Sequence, residues 1–467
     1  MMAAMTRVVI VGGGPGGYEA ALVAAQLGAE VTVVDRDGLG GSCVLTDCVP
    51  SKTLIATAEV MTLAADSGEL GVRIAAERPA PGLVTVDLGQ VNERVKRLAA
   101  AQSDDIQARL EREGVRVVRA RGSLDGPARV VATAEDGSTS AYDADAVLVA
   151  TGARPRVVPG AEPDGERILT WEQVYDLDVL PERLVVVGSG VTGAEFASAY
   201  NALGSEVVLV SSREHVLPGE DADAAQVLED VFRRRGMQVL GRSRAVAAAR
   251  AGDGVVVTLS DGTTIEGSHC LMAVGSIPNT EGVGLVESGV RLTDSGYIEV
   301  DRVSRTSARG VYAAGDVTGV FMLASVAAMQ GRIAMRHVLG DAVAPLDLRS
   351  VSSNVFTDPE IATIGITQAQ ADAEPDDVRS IKLPLATNAR AKMQGLHDGF
   401  VKLFARPGTG IVVGGVVVAP KASELIYPIA LGVGQRLTVD EVAATFTVYP
   451  SLTGSIAEAA RQLHTPD

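Results

Sequence analysis

The apolar pattern opens with a short continuous run. Arg7-Val8-Val9-Ile10-Val11 has no polar alternation, which predicts a strand buried on both faces. An Ala-rich stretch over residues 18–27 has helical spacing, and residues 31–34 form a second apolar run. Helices are expected at 54–63 and 91–113, joined by a Pro/Gly-rich link at 78–82, with a strand at 115–118. Residues 142–150 pass from polar to apolar and end in Thr151-Gly152. Pro155, Pro159 and Gly160 then break the pattern, as a crossover into another domain would.

The opening unit returns at Arg183-Leu184-Val185-Val186-Val187, with a helix expected at 194–203 and a strand at 206–210. Further strands are expected at 271–275 and 310–316, the second ending in Asp316, and a helix at 324–339 carries Gln330-Gly331-Arg332. From Val351 the texture changes to separate strands (354–356, 361–366, 399–404, 411–418) with helices at 422–431 and 439–445.

Glycines sit where the two repeated units turn from strand to helix. Gly12-Gly13-Gly14-Pro15-Gly16-Gly17 is a GxGxxG, and Asp35 ends the next strand. Gly12 permits the tight turn, Gly14 lets the backbone approach a pyrophosphate, and Gly17 lets helix and strand pack closely. Asp35 would accept hydrogen bonds from a ribose diol. Gly188-Ser189-Gly190-Val191-Thr192-Gly193 is a second GxGxxG in the same setting. One such match could be structural glycine alone; two, each between a strand and a helix, imply two dinucleotides.

Cys43 and Cys48 lie in Gly40-Gly41-Ser42-Cys43-Val44-Leu45-Thr46-Asp47-Cys48-Val49-Pro50-Ser51-Lys52, directly after the first unit. Two inert core thiols are the plainer reading of a CxxxxC. Beside a dinucleotide unit the same pair can store two electrons as a disulfide, and that reading is favoured.

Composition narrows the class. A chain of 467 residues implies two to four domains. Lys+Arg 41 against Asp+Glu 58 gives a net charge of -17, which repels phosphate backbones and argues against nucleic acid as a partner. Three cysteines are too few for a secreted disulfide scaffold. No signal core precedes Arg7 and no apolar run would span a bilayer, so a cytoplasmic protein without stable membrane insertion is expected. No metal site is expected.

These stretches resemble the two-dinucleotide-binding flavoprotein disulfide reductases, the family of dihydrolipoyl dehydrogenase and glutathione reductase. The resemblance spans essentially the whole chain, through residues 12–17, 43–52, 150–152, 188–195, 275–279, 312–316 and 358–362. It implies an α/β fold with two Rossmann-like dinucleotide-binding domains, for FAD and NAD(P), and a C-terminal α+β dimerisation domain. The expected division is 1–156 (FAD, first part), 157–281 (NAD(P)), 282–349 (FAD, second part) and 350–467 (dimerisation). Carried over, Gly12, Gly14, Gly17, Asp35, Ala120, Thr151, Gly152, Asp316 and Met322-Leu323-Ala324-Ser325 serve FAD. Gly188, Gly190, Gly193, Glu195, Ser211, Arg213 and Gly275, all within 157–281, serve NAD(P)H. Lys52 is implied to lie near the reactive flavin nitrogen, paired with Glu195; the bland alternative is a solvated helix lysine.

One departure matters. The family carries His-Pro-x-Leu-x-Glu near its C-terminus, where the partner subunit's histidine is the acid/base for thiol–disulfide exchange. Here the stretch is Tyr449-Pro450-Ser451-Leu452-Thr453-Gly454. Exchange needs a thiolate to attack and a leaving thiolate to be protonated. A histidine near pKa 6.5 serves both, while a tyrosine near 10 is a poor base at neutrality. Hydride transfer from nicotinamide to flavin needs neither group. The pattern resembles an actinobacterial branch of the family, the NAD(P)H quinone reductases, also through residues 47–53, 168–171, 323–332 and 387–393. An FAD-dependent NAD(P)H:quinone oxidoreductase, a homodimer, is therefore expected. A disulfide reductase using Cys43 and Cys48 is the alternative, and a flavoprotein that senses NAD(P)H or binds a partner is a third. At Ser211, NAD-specific relatives carry an acid; its absence, with Arg213 nearby, leads us to expect use of both NADH and NADPH.

Overall fold

Each apolar run that opens a Gly-rich motif becomes the centre of a parallel sheet. The computed structural model describes residues 5–72 and 84–464, so the expected link at 78–82 lies outside the described residues. Arg7–Val11 pairs in parallel with Glu30–Asp35 on one side and Ala146–Val149 on the other; Arg116–Arg119 and Val311–Ala313 form the edges. Val8, Ile10, Val33 and Leu148 are wholly buried, and so are Val147 and Val149 on the opposite face. Burial on both faces is why these strands read as unbroken apolar runs. Helices Pro15–Gln26 and Ala324–Val338 pack together on one face, and glycines set their approach: a Cβ on Gly331 would stand 2.1 Å from Gly16 O. This unit comprises Met1–Ser51, Glu93–Arg156 and Gly275–Asp347. It also holds an antiparallel sheet of Arg121–Leu124, Arg129–Thr133 and Thr139–Asp143.

The stretch 142–150 is therefore two strands in different sheets. They part at Asp145, whose carboxylate accepts the Arg7 N–H at 2.8 Å and pairs with the Arg7 guanidinium at 3.1 Å.

The second unit comprises Lys52–Asn92, Val157–Val274 and Leu348–Asp467. Its parallel sheet runs Gln238–Leu240, Glu206–Val210, Arg183–Val187, His269–Met272, Ile168–Leu169. A small antiparallel sheet (Ala245–Ala251, Gly254–Leu259, Thr264–Gly267) and the helix Ala222–Arg234 were not expected from the pattern. That helix starts where the Asp221 carboxylate accepts from Asp223 N and Ala224 N, an N-cap. The C-terminal sheet is antiparallel, in the order Ser352–Val355, Glu360–Gly365, Val412–Ala419, Phe400–Ala405, Arg379–Pro384. The last of these is an edge strand without a buried residue, so its sequence lacks the apolar signal. The final helix, Gly454–Gln462, buries Ser455, Ile456, Ala459 and Ala460, which are mostly too small to stand out as a stripe.

The stretch with Cys43 and Cys48 corrects one boundary. The pattern predicts a helix from residue 54, but the helix Cys48–Asp66 begins at the second cysteine. Pro50 is its third residue, where a missing N–H costs nothing because first-turn donors have no intrahelical partner.

Candidate active site

The three motif glycines of the first unit meet different surroundings. A Cβ on Gly12 (φ +105°) would lie 2.3 Å from Ala150 O, and one on Gly17 would lie 1.9 Å from Gly12 O. Packing alone demands glycine at both. At Gly14 the nearest atom would be Gly41 Cα at 4.0 Å, so packing leaves that position open. The open residue is the N-cap of Pro15–Gln26, where no side chain caps the helix. Backbone N–H groups beside an open glycine fit a dinucleotide pyrophosphate.

The stretch with Cys43 and Cys48 touches this cradle. Gly40 and Gly41 both have positive φ (96° and 55°), and a Cβ on Gly41 would lie 2.9 Å from Gly14 Cα. The short helix Gly41–Leu45, with Cys43, thus starts against the Gly-rich loop. Cys43 and Cys48 are both half-buried. The Asp35 carboxylate accepts from Gly13 N at 2.6 Å, Asp37 N at 2.9 Å and Gly38 N at 2.8 Å, so it braces the loop as well as ending its strand. Ala120 is buried and its N–H donates to Asp35 O at 2.9 Å.

Asp316 follows the strand Val311–Ala313. Burial, and then the charge of Asp47, push its carboxyl up to about 6. Met322 is exposed, Leu323 is the N-cap residue of Ala324–Val338, and Ala324 and Ser325 open that helix. Two residues inside the matched stretches, not named there for a role, support the site. Buried Gln330 accepts from Gly315 N at 2.8 Å and so shapes the turn into Asp316. Asn279 Nδ2 donates to Thr151 O at 2.9 Å while Thr151 Oγ1 donates to Asn279 O at 2.8 Å, a reciprocal clasp just before Gly152 (φ +69°). Gly275 also has positive φ (93°), with nothing within 4 Å of an added Cβ.

The second unit repeats the glycine arrangement. A Cβ on Gly188 would stand 2.1 Å from Ala273 O and one on Gly193 1.8 Å from Gly188 O, whereas Gly190 meets nothing within 4 Å. Again the middle glycine faces open space, and a second pyrophosphate fits. Ser211 is fully buried; its Oγ lies 2.7 Å from Ser189 Oγ and accepts from Arg213 N at 3.1 Å, stitching this loop to the end of Glu206–Val210. Arg213 is exposed.

Also in the second unit, Lys52 Nζ lies 2.7 Å from Glu195 Oε2, and the Glu195 side chain is only 4% exposed. Tyr449 is 85% exposed and Gly454 opens the final helix. Each of the five histidines is engaged away from that register: His215 with Glu229, His269 with Arg167, His337 with Tyr312, His397 with Glu69 and His464 with Asp440.

Comparison with known proteins gives one consistent result. Residues 6–331 match the model of the pyridine nucleotide-disulphide oxidoreductases, and residues 351–460 match that family's dimerisation domain. The chain is 57% identical to the NAD(P)H dehydrogenase (quinone) of Mycobacterium tuberculosis, over 99% of this chain and 95% of that one. It is 35% identical to the dihydrolipoyl dehydrogenase of Chlorobaculum parvum, over 97% of this chain and 96% of the other. The crystal structure of LpdA from Mycobacterium tuberculosis superposes with a TM-score of 0.94 at 56% identity, covering 99% of this chain and 100% of that one.

Proposed function

We propose, given that this chain belongs to the pyridine nucleotide-disulphide oxidoreductase family, that it uses NAD(P)H to reduce a quinone-type acceptor. The chain is an NAD(P)H-linked flavoprotein oxidoreductase with a C-terminal dimerisation domain. When bound, FAD supplies the two-electron chemistry, taking a hydride from the nicotinamide and passing electrons onward. We assign the FAD cradle to Gly12, Gly14 and Gly17, with Asp35, Thr151-Gly152 and Asp316 around it. The NAD(P)H cradle falls to Gly188, Gly190 and Gly193, within residues 157–281. Lys52, held by Glu195, supplies a fixed positive charge where the flavin gains electrons.

The observation that carries the acceptor is Tyr449 with Gly454, where the disulfide-reducing relatives place a histidine and a glutamate. Without that pair the chain lacks the acid/base that thiol–disulfide exchange requires, while hydride uptake keeps every residue it needs. The relative named for NAD(P)H and quinone supports the same class. The presence of both Cys43 and Cys48 favours the second reading, a disulfide reductase. Cofactor choice follows from Ser211. Fully buried and hydrogen-bonded to its own loop, it presents neither an acid to hold a ribose diol nor a charge to repel a 2′-phosphate. We read the site as accepting both NADH and NADPH.

Steady-state turnover of Cys48→Ser with a soluble quinone and with a lipoamide-type disulfide tests this reading, using each nucleotide in turn. Quinone turnover should stay within about tenfold of the parent, about 1.4 kcal/mol of barrier. Brisk disulfide reduction by the parent, or loss of quinone turnover in the variant, would move the assignment to the disulfide reductases. A preference above about a hundredfold for one nucleotide would reject dual use.

A further inference from the structure

One residue of the C-terminal segment holds both members of the Lys52–Glu195 pair. Lys52 Nζ contacts Glu195 Oε2 at 2.7 Å, and the other oxygen, Oε1, accepts the Phe356 N–H at 2.9 Å. The ring of the same Phe356 faces the ammonium, with Nζ 4.8 Å from its centroid. A carboxylate as buried as Glu195 is costly unless donors meet its lone pairs, and here a donor stands at each oxygen. Lys52 gains a second, non-carboxylate partner, because the negative face of an aromatic ring attracts a cation within about 6 Å.

The ring is placed by anchors on Asp358, two residues on, that do not involve Lys52. Asp358 N donates to Ser198 Oγ at 3.2 Å, one turn along the helix that carries Glu195. Arg235 pairs with the Asp358 carboxylate at 2.9 Å, from the residue that ends Ala222–Arg234. Two contacts therefore fix Phe356–Asp358 on the nucleotide-type fold, and the Phe356 N–H and ring follow from that.

We propose that Phe356 is a positioning residue. Its N–H orients Glu195 and its ring confines the Lys52 ammonium, so that a residue of the dimerisation domain tunes the redox behaviour of the FAD site. The proposal rests on Lys52 acting as the cation that answers charge on the flavin, and the test separates the two ideas.

Phenylalanine analogues bearing one, two or three ring fluorines, incorporated at position 356 of the holoenzyme, weaken the ring's negative face with little change of shape. The FAD midpoint potential should become more negative in step with fluorination. The stopped-flow rate of flavin reduction by NADH should fall by about two- to thirtyfold across the series. Phe356→Leu should act in the same direction and Phe356→Tyr should restore the parent values. In a Lys52→Met background, fluorination should have no further effect on the potential, a coupling that ring packing alone would not produce. The proposal is overturned if potential and rate ignore fluorination while Lys52→Met shifts both. It is equally overturned if fluorination acts the same with and without Lys52. If Lys52→Met itself shifts neither quantity, the reading of Lys52 fails and the role of Phe356 falls with it.

Discussion

Asp316 shows how one side chain can carry a pH dependence. Its carboxyl titrates at about 6 in the folded chain because burial, and then the Asp47 charge, disfavour ionisation. A carboxyl in an unfolded chain titrates near 3.9. Between those values the folded chain holds a proton that the unfolded chain has released. The contribution of protonated Asp316 is thus complete below about pH 4 and is lost as the pH rises through 6. In flavin-free protein, Asp316→Asn should remove that loss. From pH 4 to 7.5 the parent should fall by about 2–3 kcal/mol relative to the variant. Urea unfolding of both proteins at the two pH values measures this, and parallel behaviour would show that the site does not perturb Asp316.

At the scale of elements, the two strand–glycine–helix units make a paired prediction. In the second unit Gly193 is enclosed and Gly190 is open: an added Cβ would lie 1.8 Å from Gly188 O at the first and meet nothing within 4 Å at the second. Gly193→Ala should force helix Val191–Leu203 off its sheet and lower stability by about 1–3 kcal/mol or more. Gly190→Ala should leave the melting temperature near the parent value, yet raise the KM for NADH, because the methyl group fills the space where a pyrophosphate would approach. Thermal unfolding with NADH titrations distinguishes the two effects. Equal destabilisation by both changes would mean that the open glycine belongs to the packing after all.

For the whole molecule, the dimerisation domain leaves a cluster of large apolar side chains in the open. Phe446, Val448 and Tyr449 are 102%, 78% and 85% exposed in the single chain. Such a run is costly in water and is what a second copy would cover. Light scattering should therefore give a dimer. The same segment tests the acceptor. Gly454 has room for a side chain, since an added Cβ would meet only Ser451 Oγ at 3.8 Å, and an acid at the first position of a helix is favourable. Tyr449→His with Gly454→Glu should fold, raise activity on a lipoamide-type disulfide and change quinone reduction little, because hydride uptake does not use that pair. No gain on the disulfide would show that loss of the pair is not what separates this chain from the disulfide reductases.

What the sequence determined by itself is what depends on local pattern. Unbroken apolar runs followed by GxGxxG specify a buried parallel strand, a tight turn and a helix, and the structure has two such sheets that match in four strands, the fifth being Val311–Ala313 in one and Ile168–Leu169, which precedes the unit's first strand, in the other. The family followed from motifs spread along the chain, and Tyr449 and Gly454 were legible because Pro450 and Leu452 hold the register. Tertiary structure decided whatever depends on neighbours distant in the chain. It made Gly12 and Gly17 packing requirements and left Gly14 open, although all three are the same residue. It buried Ser211 through a hydroxyl contact with Ser189, and started a helix at Cys48 despite Pro50. It brought Phe356 to Lys52 and Glu195, residues more than 150 positions away. Nothing in the composition of residues 354–358 reports that meeting, because a backbone N–H and a phenyl ring gain a role only from what the fold places against them.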